Sequence, residues 1–316
     1  MRILVTGGCG FMGSDFIRYM ARNHNILNYD KLTYAGNQDN LKTVKDNYQF
    51  VQGDILDYDL LIKTVEEFKP ELIVHFAAET HVDRSIHGPQ EFIKTNVLGT
   101  QVLLEIVKKY DLRLHHISTD EVFGELQIND PAFDEHSPYN PRSPYSASKA
   151  ASDHLVRSYI HTYGIKATIS NSSNNYGPYQ YPEKVIPLFI TNLIEGKKLP
   201  LYGTGKNIRN WIYVRDHSIA VETIISKGKL GETYCIGGPD ELSNIELSKK
   251  ILREMDAEED MIKFVEDRKG HDFRYSLSSK KLEKLGWKSS VKFEDGLKKT
   301  VSWYKKNSWW WRKLKK

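Results

Sequence analysis

Two pairs of residues in the middle of the chain have the types and spacing for acid/base chemistry. Asp120 and Glu121 follow a β-branched run that ends at Thr119, and Tyr145 and Lys149 stand four residues apart. Residues i and i+4 share one face of a helix, so Lys149 is expected to lie beside Tyr145 and to lower the pKa of its phenol. A tyrosine with a lowered pKa could act as a base near neutral pH.

The neighbouring carboxyl groups suit a division of labour between an acid and a base. Like charges push the pKa values of adjacent groups apart, so one carboxyl is expected to be protonated while the other is ionised. An acidic pair at the start of a helix or on a solvated loop would explain Asp120 and Glu121 without any chemistry. Tyrosine and lysine at this spacing also occur by chance, so the surrounding elements have to decide between these interpretations.

A glycine-rich segment near the start of the chain predicts a dinucleotide site. Gly8, Gly10 and Gly13 fit the pattern G-x-G-x-x-G, directly after a predicted strand at residues 2–6 and before a predicted helix that runs to about residue 22. Glycines permit close approach of a pyrophosphate, and the helix N-terminus supplies amide donors. Asp30 ends the second strand, where a carboxylate binds the ribose hydroxyls of NAD and repels the extra phosphate of NADP.

Strands and helices alternate along the first half of the chain. The apolar pattern predicts further strands at residues 26–29, 48–52, 72–76, 114–119 and 166–171, and helices at residues 58–68, 90–110 and 144–163. This alternation predicts an α/β fold with a doubly wound parallel sheet of the Rossmann type.

The regular alternation of predicted strands and helices ends after residue 172. We therefore expect an NAD-binding domain at residues 1–172 and a smaller mixed α/β substrate lobe at residues 173–316, with some later segments returning to the main sheet. Predicted elements of this second half are helices at residues 185–195, 216–226, 244–255 and 293–306, and strands at residues 208–213 and 232–236.

Several polar segments directly follow predicted strands. In open parallel sheets, ligands bind beyond the carboxyl ends of the strands. This rule brings Asp30, Asp54 and residues 77–81, 119–121 and 171–176 to one crevice, although they are far apart in the sequence. Their convergence is the main physical reason to treat the two adjacent carboxylates as functional.

Composition argues against several classes of protein. The 316 residues carry a net charge of only +4, without the basic stripe that would indicate nucleic-acid binding. No run of about 18 apolar residues is present, so no membrane span is expected. Two cysteines, Cys9 and Cys235, cannot form a disulfide framework, which favours the cytoplasm. The histidines lack a ligand-like arrangement, and we expect no metal.

Longer stretches of the chain resemble a known family. They run nearly from end to end and include TGGCGFMGSDF, STDEVFGE, PYSASKAASDHL, NNYGPYQYPEK and GHDFRY. The glycines and the Tyr145–Lys149 spacing are similar to those of the extended short-chain dehydrogenase/reductase superfamily. The Asp-Glu pair after Ser-Thr narrows the resemblance to the nucleotide-sugar 4,6-dehydratases, which use NAD in deoxysugar synthesis of the dTDP-rhamnose type.

The resemblance implies a role for each residue of the central set. Tyr145, helped by Thr119 and Lys149, would take the proton of the sugar 4-hydroxyl as NAD accepts the C4 hydride. Glu121 would remove the C5 proton, and protonated Asp120 would donate a proton to the departing 6-hydroxyl. Return of the hydride to C6 would regenerate NAD, so the expected enzyme is a hydro-lyase.

Further site residues are assigned by the same resemblance. Cofactor binding is implied for Gly7, Gly10, Phe11, Met12, Gly13, Asp30, Lys31, Leu32, Thr33, Asp54, Ile55, Ala77, Ala78, Thr80, Thr95, Tyr145, Lys149 and Asn174. Binding of the nucleotide sugar is implied for His81, Asp83, Thr119, Asn175, Lys184, Val185, Pro200, Tyr202, Arg209, Asn244, Arg268 and His271. The superfamily also implies a homodimer, formed through the helices predicted at residues 90–110 and 144–163.

Three departures from the family pattern leave the substrate open. The chain has Asn210 where the family usually has aspartate, Lys269 where it usually has proline, and Ser172 where it often has cysteine. The expected substrate is dTDP-glucose, with UDP-glucose as an alternative. An NAD-dependent 4-epimerase and a non-enzymatic nucleotide sensor are further alternatives. The carboxyl pair argues against the epimerase, and the complete set of five catalytic residues argues against the sensor.

Overall fold

The structure is a computed structural model, and it describes residues 1–267 and 270–315. Its strands are β1 (Arg2–Thr6), β2 (Asn25–Asp30), β3 (Tyr48–Gln52), β4 (Leu72–His75), β5 (Arg113–Thr119), β6 (Lys166–Ser172), β7 (Asn174–Tyr176), β8 (Leu199–Tyr202), β9 (Ile208–Tyr213), β10 (Thr233–Ile236), β11 (Asp240–Ser243) and β12 (Ile262–Val265). Its α-helices are α1 (Phe11–Met20), α2 (Tyr58–Phe68), α3 (Val82–His87), α4 (Pro89–Phe92), α5 (Gly99–Lys109), α6 (Pro144–Tyr163), α7 (Val185–Ile194), α8 (Val214–Lys227), α9 (Asn244–Glu254), α10 (Lys280–Glu283), α11 (Phe293–Lys306) and α12 (Ser308–Trp311).

Seven strands form the central sheet, in the order β10-β6-β5-β4-β1-β2-β3. All of its neighbouring strands are parallel. The order reverses between β1 and β4, which is the switch point of a doubly wound Rossmann sheet. The predicted fold class is therefore confirmed. Strand β10 comes from the second half of the chain and pairs with β6, with Thr233 opposite Ile169.

Two smaller sheets lie in the C-terminal half, as expected for a mixed α/β lobe. One contains β11, β9 and β7, and the other contains β12 and β8. Their apolar side chains pack with those of α7, α9 and α11 in a separate core that includes Tyr176, Phe189, Leu247 and Trp310. The four strands β7, β8, β11 and β12 were not predicted, because runs of three or four residues are too short to show a clear periodicity.

Local sequence signals explain the boundaries of α6, which carries part of the predicted site. Ser143 and Ser146 form a capping box, and Pro144 occupies the first turn. The helix ends before Gly164, which adopts a left-handed conformation with a φ of 68°. These bounds match the prediction. The single helix predicted at residues 90–110 is instead interrupted by a π-helical turn at Ile93–Leu98.

Helices cover both faces of the central sheet, which explains why its strands are so apolar. On one face, Phe16 of α1 and Ile224 of α8 belong to the same buried cluster. On the other face, Leu103 of α5 and Val156 of α6 do so. Among the described residues, no helix is both long enough and apolar enough to span a membrane.

Candidate active site

One cleft opens at the carboxyl ends of the central strands. The predicted cofactor residues line it with the exception of Leu32, namely Gly7, Gly10, Phe11, Met12, Gly13, Asp30, Lys31, Thr33, Asp54, Ile55, Ala77, Ala78, Thr80, Thr95, Tyr145, Lys149 and Asn174. The predicted catalytic residues Thr119, Asp120 and Glu121 line the same cleft. The fold thus brings these distant segments to one edge of the sheet, as the strand order requires.

The glycine-rich turn between β1 and α1 leaves no room for side chains. A Cβ atom on Gly7 would lie 2.5 Å from the backbone nitrogen of Ala77, and one on Gly13 would lie 2.5 Å from the carbonyl oxygen of Gly7. Gly7 also has a φ of 72°, which favours glycine. Helix α1 begins at Phe11 without a side-chain cap, so its first amide groups are available to bind a phosphate.

Asp30 is held at the end of β2 by two backbone donors. The amides of Cys9 and Leu32 donate to its two carboxylate oxygens, each at 2.8 Å. Leu32 thus supports the site through its backbone amide, and its role in binding the cofactor stays a prediction. Burial raises the pKa of Asp30, and the two amide bonds act in the opposite direction. A glycine-rich turn without side chains, followed by a buried carboxyl at the end of the next strand, fits NAD. The same carboxyl would repel the additional phosphate of NADP.

Asp120 lies in a poor environment for a charged carboxylate. It begins the 3-10 turn Asp120–Phe123 after β5, and it is only 2% exposed. Its Oδ1 accepts a hydrogen bond from the Thr119 hydroxyl at 3.2 Å, while Oδ2 has no hydrogen-bond partner in the described chain. Burial, and then the charge of Glu121, raise the pKa of Asp120 to about 8. At neutral pH, Asp120 consequently holds a proton that it can donate.

Lys149 reaches the cleft from α6. Its buried ammonium group donates a hydrogen bond to the carbonyl oxygen of Ile117 in β5, at 2.8 Å. Burial lowers the pKa of Lys149 to about 8, and the nearby charge of Asp153 acts against this decrease. The lysine is therefore anchored to the strand that carries Thr119.

Tyr145 is buried one helical turn before Lys149. Burial, followed by the charge of Glu121, raises the pKa of Tyr145 above its ordinary value, and a hydrogen bond with Thr119 acts in the opposite direction. The expectation that the pKa of Tyr145 lies below its ordinary value is therefore wrong for the protein without ligands. The i, i+4 argument places the two side chains on one face correctly, but it overlooks the cost of burying a phenolate and the nearby carboxylate.

The predicted substrate residues are only partly brought together. Thr119, Asn175 and Lys184 line the cleft, and the Lys184 ammonium donates to the Thr80 carbonyl at 3.2 Å. The others do not line it: His81, Asp83, Val185, Pro200, Tyr202, Arg209, Asn244 and His271. Arg268 lies outside the described residues, as does Lys269.

Arg209 and His271 are engaged with other protein groups. The Arg209 guanidinium donates to the carbonyl oxygens of Ile208 at 2.7 Å and Asp272 at 2.9 Å, and it lies 4.4 Å above the Tyr275 ring. Its charge still acts on Asp120, whose pKa it lowers. The His271 Nδ1 lies 2.6 Å from a carboxylate oxygen of Asp267. A role of either residue in binding the diphosphate stays a prediction.

Asn210, which departs from the family pattern, forms its side-chain hydrogen bonds with backbone groups of the C-terminal half. Its side-chain amide donates to the carbonyl oxygens of Gly238 at 2.9 Å and Asp240 at 3.1 Å, and its oxygen accepts from the Gly238 amide at 2.8 Å. This amide therefore holds the segment that leads into β11. Ser172, another of the three departures, accepts a hydrogen bond at 2.8 Å from Asn175, and both residues line the cleft.

Glu183 is a residue of the cleft that sequence reasoning did not single out. It accepts a hydrogen bond from the Tyr34 hydroxyl at 2.9 Å and pairs with Arg84 at 3.4 Å, while the Arg84 guanidinium lies 3.5 Å above the Tyr34 ring. These contacts join the segment after β2 and helix α3 to a residue of the cleft that precedes α7. Glu183 lies in the matching stretch NNYGPYQYPEK, from which Asn174, Asn175 and Lys184 were assigned to the site but Glu183 was not.

Two buried histidines of the central sheet, His75 in β4 and His115 in β5, form hydrogen bonds with threonine side chains. His75 lies 2.7 Å from the Thr6 hydroxyl and 3.1 Å from that of Thr100, and His115 lies 2.9 Å from that of Thr168. In the part of the chain that the structure describes, no group of three or more histidine, cysteine or acidic residues could hold a metal ion.

Comparison with known proteins identifies the family. The family model for GDP-mannose 4,6 dehydratase matches residues 4–300. The dTDP-glucose 4,6-dehydratase of Haemophilus influenzae is 48% identical to this chain, over 98% of this chain and 99% of that protein. The dTDP-glucose 4,6-dehydratase of Mycobacterium tuberculosis is also 48% identical, over 100% of this chain and 96% of that protein. The chain belongs to the dTDP-glucose 4,6-dehydratase family.

Solved structures agree with this family assignment. A dTDP-glucose 4,6-dehydratase from Streptomyces venezuelae, crystallised with NAD bound, is 47% identical over the whole of both chains and gives a TM-score of 0.97. A UDP-glucose 4-epimerase from Thermotoga maritima also shares the fold, with a TM-score of 0.91 over 98% of this chain and 100% of the epimerase, but it is only 28% identical. Fold alone does not separate the two activities, whereas sequence identity favours the dehydratases.

Proposed function

We propose that this protein converts dTDP-glucose to dTDP-4-keto-6-deoxyglucose by NAD-dependent removal of water. The observation that carries the proposal is the buried carboxyl of Asp120, which is protonated at neutral pH beside Glu121 in the cofactor cleft. A C4 oxidation or an epimerisation needs a base alone, whereas water loss also needs an acid for the departing hydroxyl. The relatives named above are dTDP-glucose 4,6-dehydratases, which supports the same reaction.

The residues of the cleft supply the proton transfers of this reaction. NAD, when bound at the glycine-rich turn and Asp30, supplies the hydride acceptor and donor. Tyr145 acts in its phenolate form and takes the proton of the sugar 4-hydroxyl. The positive charge of Lys149, one turn away, favours that form against the burial that raises the pKa of the phenol. Glu121 removes the C5 proton, which the new C4 ketone has acidified, and returns it to C5 when C6 is reduced. Asp120 donates its proton to the departing 6-hydroxyl, so that water and not hydroxide leaves.

The proposal is tested by mass spectrometry of the product. Purified protein is incubated with catalytic NAD and equal amounts of dTDP-glucose and UDP-glucose. Loss of one water from the dTDP sugar alone is expected. Loss from the UDP sugar instead would keep the reaction but overturn the substrate, and an unchanged mass in both sugars would overturn the dehydratase proposal. Tyr145→Phe should be inactive, and Tyr163→Phe, at an exposed tyrosine of the same helix, is the matched control.

We also propose a homodimer that forms through α5, α6 and the π-helical turn between α4 and α5. The support is apolar exposure: Ile93, Leu98 and Tyr163 are 48%, 50% and 53% exposed on these helices. Light scattering after size exclusion should give twice the chain mass, and Leu98→Glu should shift it toward the monomer. Ile128→Glu, at an exposed apolar residue outside these helices, should leave the mass unchanged. A monomeric wild type would overturn the proposal.

We further propose that the enzyme works in the cytoplasm and that its keto sugar is consumed in deoxysugar synthesis of the dTDP-rhamnose type. Both cysteines, Cys9 and Cys235, are free and buried, which suits a reducing compartment. Fractionation of the source cells should recover the activity with cytoplasmic markers. Deletion of the gene should deplete a 6-deoxysugar from the cell's polysaccharides, and unchanged 6-deoxysugar content would contradict this pathway.

A further inference from the structure

A second buried carboxyl, that of Asp153, lies one helical turn beyond Lys149 on α6. Its side chain is completely buried, and it does not line the cleft. Because residues i and i+4 share one helix face, both side chains meet the same strand, β5. Lys149 contacts the carbonyl of Ile117, and Asp153 contacts the side chains of His116 and Ser118 on either side of it. The proposed chemistry does not use this carboxyl.

Several donors hold the Asp153 carboxylate in its charged form. Its Oδ2 accepts hydrogen bonds from the hydroxyls of Ser118 at 2.7 Å and Tyr139 at 2.8 Å, and from the Asn171 amide at 3.3 Å. Its Oδ1 lies 3.1 Å from the Nε2 of His116. Burial acts to raise the pKa of Asp153, but the hydrogen bond with His116, then the charge of Lys149 and the bond from Ser118, hold it below its ordinary value.

The same network supports the end of β5. The Asn171 amide that reaches Asp153 also donates to the Thr119 carbonyl oxygen, at 3.1 Å. Ser118, which donates to Asp153, directly precedes Thr119. A shift of the carboxylate would therefore be transmitted to the backbone that positions Thr119 and Asp120.

We propose that Asp153 is a positioning residue for the catalytic lysine: its fixed negative charge favours the ammonium form of Lys149, and its hydrogen bonds brace the end of β5. The inference rests on the proposed function, in which Lys149 supplies a positive charge beside Tyr145. It extends the site to a second carboxyl, which acts through Lys149 and β5 and does not touch the substrate.

Glu121 carries a negative charge that acts on Tyr145 and Asp120, whereas the ionisable groups of β4, β5 and α6 near Lys149, other than Asp153, do not offer one. His116 from β5 and His75 from β4 are buried, and burial lowers the pKa of both, so that both are neutral at neutral pH. Arg157, on α6, donates to the Tyr139 hydroxyl at 2.8 Å and is cationic. Among the described residues, Asp153 is the group whose charge raises the pKa of Lys149.

The test is the pH profile of kcat for Asp153→Asn. Asparagine keeps the shape of the side chain, and the unpartnered Nδ1 of His116 allows that ring to change tautomer and accept a hydrogen bond from the new amide. Without the countercharge, Lys149 loses its proton at lower pH. The alkaline limb of kcat should move down by about one pH unit or more, and kcat at about pH 8 should fall about fivefold or more. The KM for dTDP-glucose should change less than about twofold.

Tyr139→Phe is the matched control, because it removes one hydrogen bond to the carboxylate but keeps the charge. Its alkaline limb should coincide with that of the wild type. If Asp153→Asn lowers kcat equally at all pH values, Asp153 is merely structural and the inference is overturned. If Asp153→Asn does not fold, Asp153→Glu is measured instead, because it keeps the negative charge. An alkaline limb of kcat at the wild-type position supports the role of Asp153 as a countercharge, and a limb displaced to lower pH overturns it. Failure of the proposed function would look different, because the wild type itself would not dehydrate dTDP-glucose.

Discussion

Asp120 and Asp153 are both almost fully buried near the end of β5, with exposures of 2% and 0%, but they differ in protonation. Asp120 has a hydrogen bond from Thr119 and a carboxylate neighbour, Glu121, and burial with that neighbour raises its pKa to about 8. Asp153 has several donors and a cationic neighbour, Lys149, which hold its pKa below the ordinary value. Burial sets the cost of a charge, and the surrounding donors and charges decide whether the group keeps its proton.

The two carboxyl groups therefore have different roles in the proposed reaction. The protonated Asp120 lines the cleft, where a proton can be given to a leaving group. The ionised Asp153 lies behind the cleft, where a fixed negative charge can hold Lys149. Each role depends on the protonation state of its carboxyl group. Substitutions at each residue therefore test the comparison.

The largest effect is expected for Glu121→Gln, which removes both the proposed C5 base and the charge that raises the pKa of Asp120. Loss of a general base lowers the rate by about 10³–10⁴-fold here, at the upper end of the usual range. The first oxidation should still occur, so reduced cofactor should accumulate without keto-deoxy sugar. Rapid-mixing absorbance and product mass spectrometry measure the two steps. Keto-deoxy sugar at the normal rate would show that Glu121 is not the C5 base.

Asp120→Asn should be the next most damaging change. Asparagine has nearly the same shape but cannot donate a proton to the departing hydroxyl, so kcat should fall about 10²–10³-fold with little change in KM. Steady-state kinetics of product formation provide the measurement. Asp46→Asn, at an exposed aspartate away from the cleft, is the control and should match the wild type. An Asp120→Asn enzyme with normal kcat would remove Asp120 from the mechanism.

Asp120→Asn and Asp153→Asn should change stability in opposite directions. Because the folded-state pKa of Asp120 is raised, its contribution to stability is lost as the pH rises toward about 8. Asp120→Asn removes that loss and should stabilise the protein, more at about pH 8 than at about pH 5. Asp153→Asn weakens a charged hydrogen-bond network and should cost about 1–3 kcal/mol. Urea unfolding at both pH values tests the signs, and equal signs at pH 8 would contradict the comparison.

The smallest effect is expected for Ser118→Ala, which withdraws one of the donors to Asp153. The remaining donors keep the carboxylate ionised, so the free energy of unfolding should fall by about 0.5–1.5 kcal/mol. The alkaline limb of kcat should not move. Thermal unfolding and the pH profile check the two parts, and a limb displaced to lower pH would show that this single hydrogen bond controls the charge of Asp153.

The cofactor side of the cleft could be predicted from sequence because its signals are local. The glycines at residues 7–13 follow a strand directly, and Asp30 ends the next strand, so the parallel sheet alone brings them together. The substrate side depends on contacts that the sequence pattern does not carry. Arg209 lies in β9, which is held by pairing with the short strands β7 and β11, and its guanidinium meets the distant carbonyl of Asp272.

Two missed residues show the same distinction between local and distant signals. The i, i+4 spacing of Lys149 and Asp153 was available in the sequence, but the acidic residue gains meaning only once both side chains are seen to be buried against β5. The contact between Tyr34 and Glu183 joins residues that are 149 positions apart, and no periodicity predicts it. The raised pKa of Tyr145 was missed for a related reason, because burial cannot be measured along a sequence.

The protonation state of Asp120 tests the account most directly. Infrared difference spectra of the wild type minus Asp120→Asn, recorded across neutral and alkaline pH, isolate the carbonyl band of a protonated carboxyl at this position. The account predicts that the band is present at neutral pH and disappears as the pH passes about 8. A band that is already absent at neutral pH, as for an ordinary aspartate with a pKa of about 4, would contradict the assignment of Asp120 as the acid.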